Sequence, residues 1–138
     1  MPARKRYSRN MGLNDNKQSR VKRLLLSFRY AARGMKKTAE NEANMQYHLA
    51  AAAVVIVLAL LVPFPLWKWV VLLLTIGMVL SLELLNTALE NTVDLVTEQY
   101  HPLAEKAKDA AAAGVFIFTI TAIIIGILLF AEPVSVWL

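Results

Sequence analysis

Glu83, Asn86, Glu90 and Asp94 recur along one short stretch, ELLNTALENTVD, at spacings of three and four residues. On a helix they project at roughly 0°, −60°, −20° and +20°, one stripe within an arc of about 80°. From Glu83 to Asp94 the stripe runs about 16 Å at 1.5 Å per residue. An ionisable side chain within a membrane span costs roughly 2.5 to 3.5 kcal/mol on insertion scales, so acids gathered on one face need partners or ions. Two further clusters belong at the same depth: Glu40 and Glu42 in AENEAN, and Lys108 with Asp109 in AKD. Carboxylates at adjoining helix ends suit Mg²⁺, which takes one or two of them and fills its remaining sites with water and substrate phosphates. A nearby lysine can hold a phosphate as a point charge. Cation, phosphate and a deep carboxylate together point to phosphoryl transfer onto a hydroxyl dissolved in lipid. Glu83, deepest on the stripe, is then the natural general base.

The elements that must position these groups are helices in a membrane. The chain has 138 residues, 57% of them hydrophobic, which is too apolar for an ordinary soluble domain of this size. Residues 1–18 are polar, basic and aperiodic and are expected to form a disordered tail. From about Ser19 to Asn41, Leu24, Leu25, Phe28, Ala31, Ala32 and Met35 recur at helical spacing. Arg23, Arg29, Arg33, Lys36 and Lys37 stand between them, the pattern of an amphipathic helix lying in the interface. Three spans follow, over about 45–62, 67–97 and 108–131. Pro63 and Pro65 end the first. Trp67 and Trp69 beside Lys68 look like a far-side interfacial belt, and Pro133 and Trp137 finish the third at the same kind of boundary. Residues 98–109, EQYHPLAEKAKD, read as a short polar connection, and residues 19–138 as a single integral-membrane domain. The fold class is therefore all-α, three transmembrane helices preceded by an amphipathic surface helix.

Charge sets the orientation. Residues 1–37 hold 12 of the 15 Lys and Arg against one acid, a local balance of +11, and the remainder sums to −6. Lysines and arginines are retained inside, so the amino terminus is expected in the cytoplasm and the carboxyl terminus outside. The acidic end of the second span then faces the cytoplasm, where nucleotides and magnesium are found. The basic block runs into membrane segments and lacks interleaved aromatics, so anionic lipid rather than nucleic acid is its expected partner. A secretory signal peptide is not expected, because the first long apolar run begins only near Leu49. No cysteine is present, which removes disulfides and thiolate metal sites. GxxxxGK[ST], GxGxxG, HRD and DFG are all absent, so neither common nucleotide-binding fold is in use.

ExxNxAxExxxD on the second span, then YH and AKD before a third span, with NEA ahead of the first, resembles the small integral-membrane lipid kinases of bacteria. These are the prokaryotic diacylglycerol kinases and undecaprenol kinases, and the resemblance runs from about Arg23 to the carboxyl end. It implies a homotrimer in the bacterial inner membrane, with composite active sites that use MgATP to phosphorylate a lipid alcohol. Position by position it implies Glu83 as general base and Glu42 and Glu90 as magnesium ligands. Tyr30, Asn86, Asp94, Gln99, Tyr100, His101, Lys108 and Asp109 would line the nucleotide site. Arg23, Ser27, Phe28 and Ala31, together with Glu83, would meet the lipid. YHPLAEKAKD and the basic NDNKQSR segment look more like the Gram-positive undecaprenol kinases than the enterobacterial enzymes, so undecaprenol is the expected substrate and diacylglycerol the alternative. Leu26 stands where the enterobacterial pattern has a lysine and Ala32 where it has a tryptophan, which leaves the surface helix's contacts open.

Blander readings compete. The stripe could merely pack helices in a non-enzymatic assembly protein. An ion-conducting oligomer would need a polar face across the whole span, yet residues 70–82 supply only Thr75 and Ser81. His48, at the start of an apolar run, reads as an interfacial or packed residue.

Overall fold

The computed structural model describes residues 20–97 and 99–135, with the backbone alone for 132–135. The expected basic tail over 1–18 and the anchor Trp137 lie outside the described residues. Helices follow one another as α1, Arg20–Asn41; α2, Ala43–Leu61; α3, Leu66–Val96; and α4, Pro102–Ser135. No strand occurs among the described residues.

The chain divides into two compact units, Met1–Lys37 and Thr38–Leu138. Most of α1 belongs to the first and buries nothing there: Leu24, Leu25, Phe28 and Met35 all stand exposed. Apolar side chains left uncovered among arginines are what a helix in a bilayer interface requires. The Arg33 guanidinium lies 5.9 Å over the Tyr30 ring, and Ser27 Oγ donates to the Arg23 carbonyl at 3.0 Å.

In the second unit α2, α3 and α4 are each long and apolar enough to cross a membrane. At 1.5 Å per residue α2 is about 28 Å long, near the thickness of a hydrocarbon core, while α3 reaches about 46 Å and must project beyond it. α3 is the central helix, with 33% of its most apolar window buried against 11% in α2 and 6% in α4. Apolar side chains elsewhere on these helices remain uncovered, which costs nothing in a bilayer whose tails are as apolar as leucine.

The protein core sits at the end where α2 turns into α3. Ala59, Leu72 and Leu129 are buried there, and Phe64, Trp69 and Phe130 pack around them. The Phe64 ring meets Trp69 edge-on at 5.5 Å and Phe130 at 5.1 Å. Trp69 is thus a packed residue, and only Trp67 keeps the exposure expected of an interfacial anchor. α4 differs from expectation at both ends. It begins at Pro102, so PLAEKAKD is helix and not loop: proline suits the first helical position, and His101 Nδ1 accepts the Leu103 N–H at 3.2 Å. It also runs on through Pro133 to Ser135.

That proline explains a buried cation. Residue 133 has no N–H to give the carbonyl four residues earlier, Leu129. Lys68, only 3% exposed, donates to that carbonyl at 3.1 Å and lies 5.5 Å and 5.9 Å from the Trp67 and Phe64 ring centres. The ammonium so replaces the missing donor and ties the start of α3 to the last turns of α4. Lys68→Met should destabilise the protein by about 2 to 3 kcal/mol, the range for a hydrogen bond to a charged group. In a Pro133→Ala background, where residue 133 can again donate, the cost should fall by at least about 1 kcal/mol; a double-mutant cycle on unfolding in detergent reads the coupling.

Candidate functional site

Polar side chains on the spans fall into two kinds. Thr75, Asn91, Thr92 and Thr121 each donate to the carbonyl four residues back on their own helix, at 2.7 to 3.0 Å, and need nothing further. Glu83 cannot do this. An ionised carboxylate only accepts hydrogen bonds, and the N–H groups of a helix interior are already spent on its own ladder. Glu83 is 2% exposed, and its Oε2 has no hydrogen-bond partner among the described residues. One turn on, Asn86 Nδ2 donates to Glu90 Oε1 at 2.9 Å, which leaves the buried Asn86 Oδ1 without a donor as well. Two buried oxygens on one stripe thus have no hydrogen-bond partner among the described residues.

The electrostatic neighbours of Glu83 are His48, Glu90 and Glu42. The first turns of α2 thus meet the middle of α3, and the pair expected to hold magnesium is brought to the expected base. Glu42 occupies the cap position before α2, yet its side chain makes no cap hydrogen bond and remains available. His48, read from the sequence as a packing residue, is the group that reasoning undervalued. It also lines an apolar cavity of about 340 Å³ that runs along the spans between α2, α3 and α4.

Where α3 ends and α4 begins, a polar cavity of about 290 Å³ is lined by Asp94, Gln99, Tyr100, His101, Lys108 and Asp109, all of them expected at a nucleotide site. Lys108 Nζ pairs with Asp94 Oδ1 across the two helices. Tyr100 donates to Glu105 Oε2 at 2.8 Å, a bond that holds its phenol above the ordinary value. Glu105 was not singled out in the sequence. His101, Glu105 and Lys108 stand at i, i+4 and i+7, a shared face visible only once α4 is known to start at Pro102. Asn86 does not line this cavity but sits with Glu83 and Glu90 further along α3. Arg23, Ser27, Phe28, Tyr30 and Ala31 all lie on α1 in the amino-terminal unit.

No group of three or more His, Asp or Glu that could hold a metal converges among the described residues. A cation that takes one or two protein carboxylates and completes its shell with water and phosphate still fits. The expected ligands, Glu42 and Glu90, offer hard carboxylate oxygens, and Glu42 spends none of its own on a helix-cap hydrogen bond.

A membrane protein with three spans, whose acidic stripe leads to a polar cavity at one end, is the class these features define. Residues 29–130 match the family described as prokaryotic diacylglycerol kinase. The undecaprenol kinase of Bacillus subtilis is 48% identical over 118 residues, 84% of this chain and 96% of that protein. A diacylglycerol kinase of Synechocystis is 43% identical over 111 residues, 80% of this chain and 63% of the relative. The diacylglycerol kinase of Escherichia coli K12 is 30% identical over 102 residues, 74% and 84%. The chain belongs to the prokaryotic diacylglycerol kinase family.

The Lys108 and Asp94 side chains are 36% and 57% exposed, so water screens the pair and its share of stability stays below about 1 kcal/mol. Asp94→Asn should move the melting temperature by less than about 3 °C. Its effect should appear instead in nucleotide affinity, measured by isothermal titration with a non-hydrolysable ATP analogue.

Proposed function

We propose that this chain transfers the γ-phosphoryl group of ATP to the hydroxyl of undecaprenol, giving undecaprenyl phosphate. That it is an ATP-dependent lipid kinase follows from its family, whose named relatives are undecaprenol and diacylglycerol kinases. Undecaprenol is favoured by the 48% identity to the Bacillus enzyme, against 43% and 30% to those named for diacylglycerol, and by the YHPLAEKAKD segment. Diacylglycerol is the second reading.

The observation that carries the mechanism is the buried carboxylate oxygen of Glu83 with no hydrogen-bond partner among the described residues. Glu83 accepts the proton of the lipid hydroxyl. The hydroxyl oxygen forms a bond to the γ-phosphorus, the bond from that phosphorus to the β-bridging oxygen breaks, and ADP leaves with the electron pair. Glu42 and Glu90 would hold Mg²⁺, which when bound neutralises charge on the phosphates. Asn86 orients Glu90 through its amide. Lys108 and the residues around the polar cavity, Asp94, Gln99, Tyr100, His101 and Asp109, bind the nucleotide, joined by Tyr30. Arg23, Ser27, Phe28 and Ala31 contact the lipid near its headgroup.

The working form in this proposal is a homotrimer in the bacterial inner membrane, with the amino terminus cytoplasmic and the carboxyl terminus outside. The basic amino-terminal part supports the orientation, and the trimer rests on the family resemblance.

Glu83→Gln should lower kcat by at least about 10³-fold, the upper range for loss of a general base, while trimer mass and nucleotide affinity stay unchanged. Full turnover in that variant removes Glu83 as the base. In mixed micelles the wild-type chain should favour undecaprenol over diacylglycerol in kcat/KM; the reverse order selects the second reading.

A further inference from the structure

α1 and α2 would be one helix but for a single residue. Glu42 adopts φ −105° and ψ 116°, extended backbone between Asn41 and Ala43. In an unbroken helix the N–H groups of Ala43, Asn44 and Met45 would donate to the carbonyls of Ala39, Glu40 and Asn41. The extended residue breaks that register. Hydrogen bonds span the break at its margins, from Glu42 N–H to the Thr38 carbonyl at 2.9 Å and from Gln46 N–H to the Glu42 carbonyl at 3.2 Å. Of the three carbonyls between, those of Ala39 and Glu40 are met by one side chain: Gln46 Nε2 donates to Ala39 O at 3.2 Å and to Glu40 O at 3.4 Å. A side-chain amide has two hydrogens, one for each carbonyl. One side chain on the first turn of α2 thereby substitutes for two of the three donors that the break removes.

The division of labour around residue 42 matters. An acidic residue at a helix cap commonly spends its oxygens on the N–H groups of the first turn. Glu42 does not, and it lies instead within electrostatic range of Glu83. A break in a helix is stable only where its freed backbone groups find partners, most of all at a membrane interface. Gln46 supplies two of those partners without drawing on the Glu42 carboxylate.

We propose that Gln46 is a positioning residue for Glu42, holding the α1–α2 break in the form that keeps the Glu42 carboxylate within electrostatic range of Glu83. This inference rests on the reading of Glu42 as a ligand of the divalent cation. Gln46 touches neither nucleotide nor lipid in this account. Its effect passes through the backbone to one oxygen donor.

The test uses the full chain in lipid nanodiscs with Mn²⁺ as the probe cation. Free Mn²⁺ is counted by electron paramagnetic resonance in the presence of a non-hydrolysable ATP analogue. Gln46→Leu removes both donors and should weaken Mn²⁺ binding about tenfold, the usual scale for losing a residue that orients a ligand. Amide exchange over residues 38–46 should quicken in the same variant. In turnover assays the Mg²⁺ requirement should rise while kcat recovers at saturating Mg²⁺. Gln46→Lys, which again offers N–H donors to the carbonyls, should restore binding. In a Glu42→Gln background, Gln46→Leu should add no further loss. Should Gln46→Leu fail to assemble, Gln46→Glu, which keeps the length but only accepts when ionised, carries the same measurement. Unchanged Mn²⁺ affinity in Gln46→Leu, or losses that simply add with Glu42→Gln, would make Gln46 an ordinary helix cap and overturn the proposal. Unchanged affinity in Glu42→Gln alone is a distinguishable result: it removes Glu42 as a ligand, and this inference with it.

Discussion

A carboxylate inside an apolar helix has no way to satisfy itself. Hydroxyls and amides on the same spans turn back to carbonyls of their own helix, as Thr75 and Asn91 do. A carboxylate finds only acceptors there, because every interior N–H is committed to the ladder. Glu83 therefore depends on something that arrives from outside its helix, and much of the second unit reads as an arrangement around that need. α2 brings Glu42 and His48 into its field, and α3 itself brings Glu90. Burying such a group is costly unless it is paired, and chains retain such burial where a cation or a substrate completes it.

The two ends of the helical unit are built on opposite principles. At the end carrying Trp67 and Lys68, every device closes: aromatic rings interlock, and a buried ammonium fills the place of a donor that Pro133 lacks. At the other end the helices part around a polar cavity, held across its mouth by the exposed Lys108–Asp94 pair. A closed end fixes how the helices are spaced. In the proposed function, the open end is where the nucleotide enters. α3 joins the two, being long enough to lie partly in the hydrocarbon and partly beyond it, so that Glu83 stays deep while Asp94 reaches water.

Much of this was legible in the sequence. Hydrophobic runs are unambiguous when they are this long, so α2 and α3 appear close to their expected bounds, as does the amphipathic α1. The stripe from Glu83 to Asp94 followed from helical periodicity alone, and its convergence with Glu42 and with Lys108 followed from chain order and span direction. What was not legible depends on single atoms. PLAEKAKD looked like loop because it is polar, yet Ala, Leu, Glu and Lys are good helix formers and His101 supplies a cap. Glu105 was passed over for the same reason. Lys68 and Trp69 looked like membrane anchors because their packing partners, Leu129 and Phe130, lie about sixty residues away, as the separation of 61 between Lys68 and Leu129 shows. His48 stood at the edge of an apolar run, and nothing in its spacing to Glu42 reveals that it faces Glu83.

The claim on which the account turns is that Glu83 is kept for chemistry and not for holding helices together. Thermal unfolding of the ligand-free chain in lipid nanodiscs, wild type against Glu83→Met, separates the two. A buried carboxylate with an unmet oxygen is a burden on the resting fold, so replacing it by an apolar side chain of similar length should leave the melting temperature unchanged or raise it by a few degrees. A melting temperature lowered by several degrees would show that the carboxylate stabilises the helices, and would contradict the account.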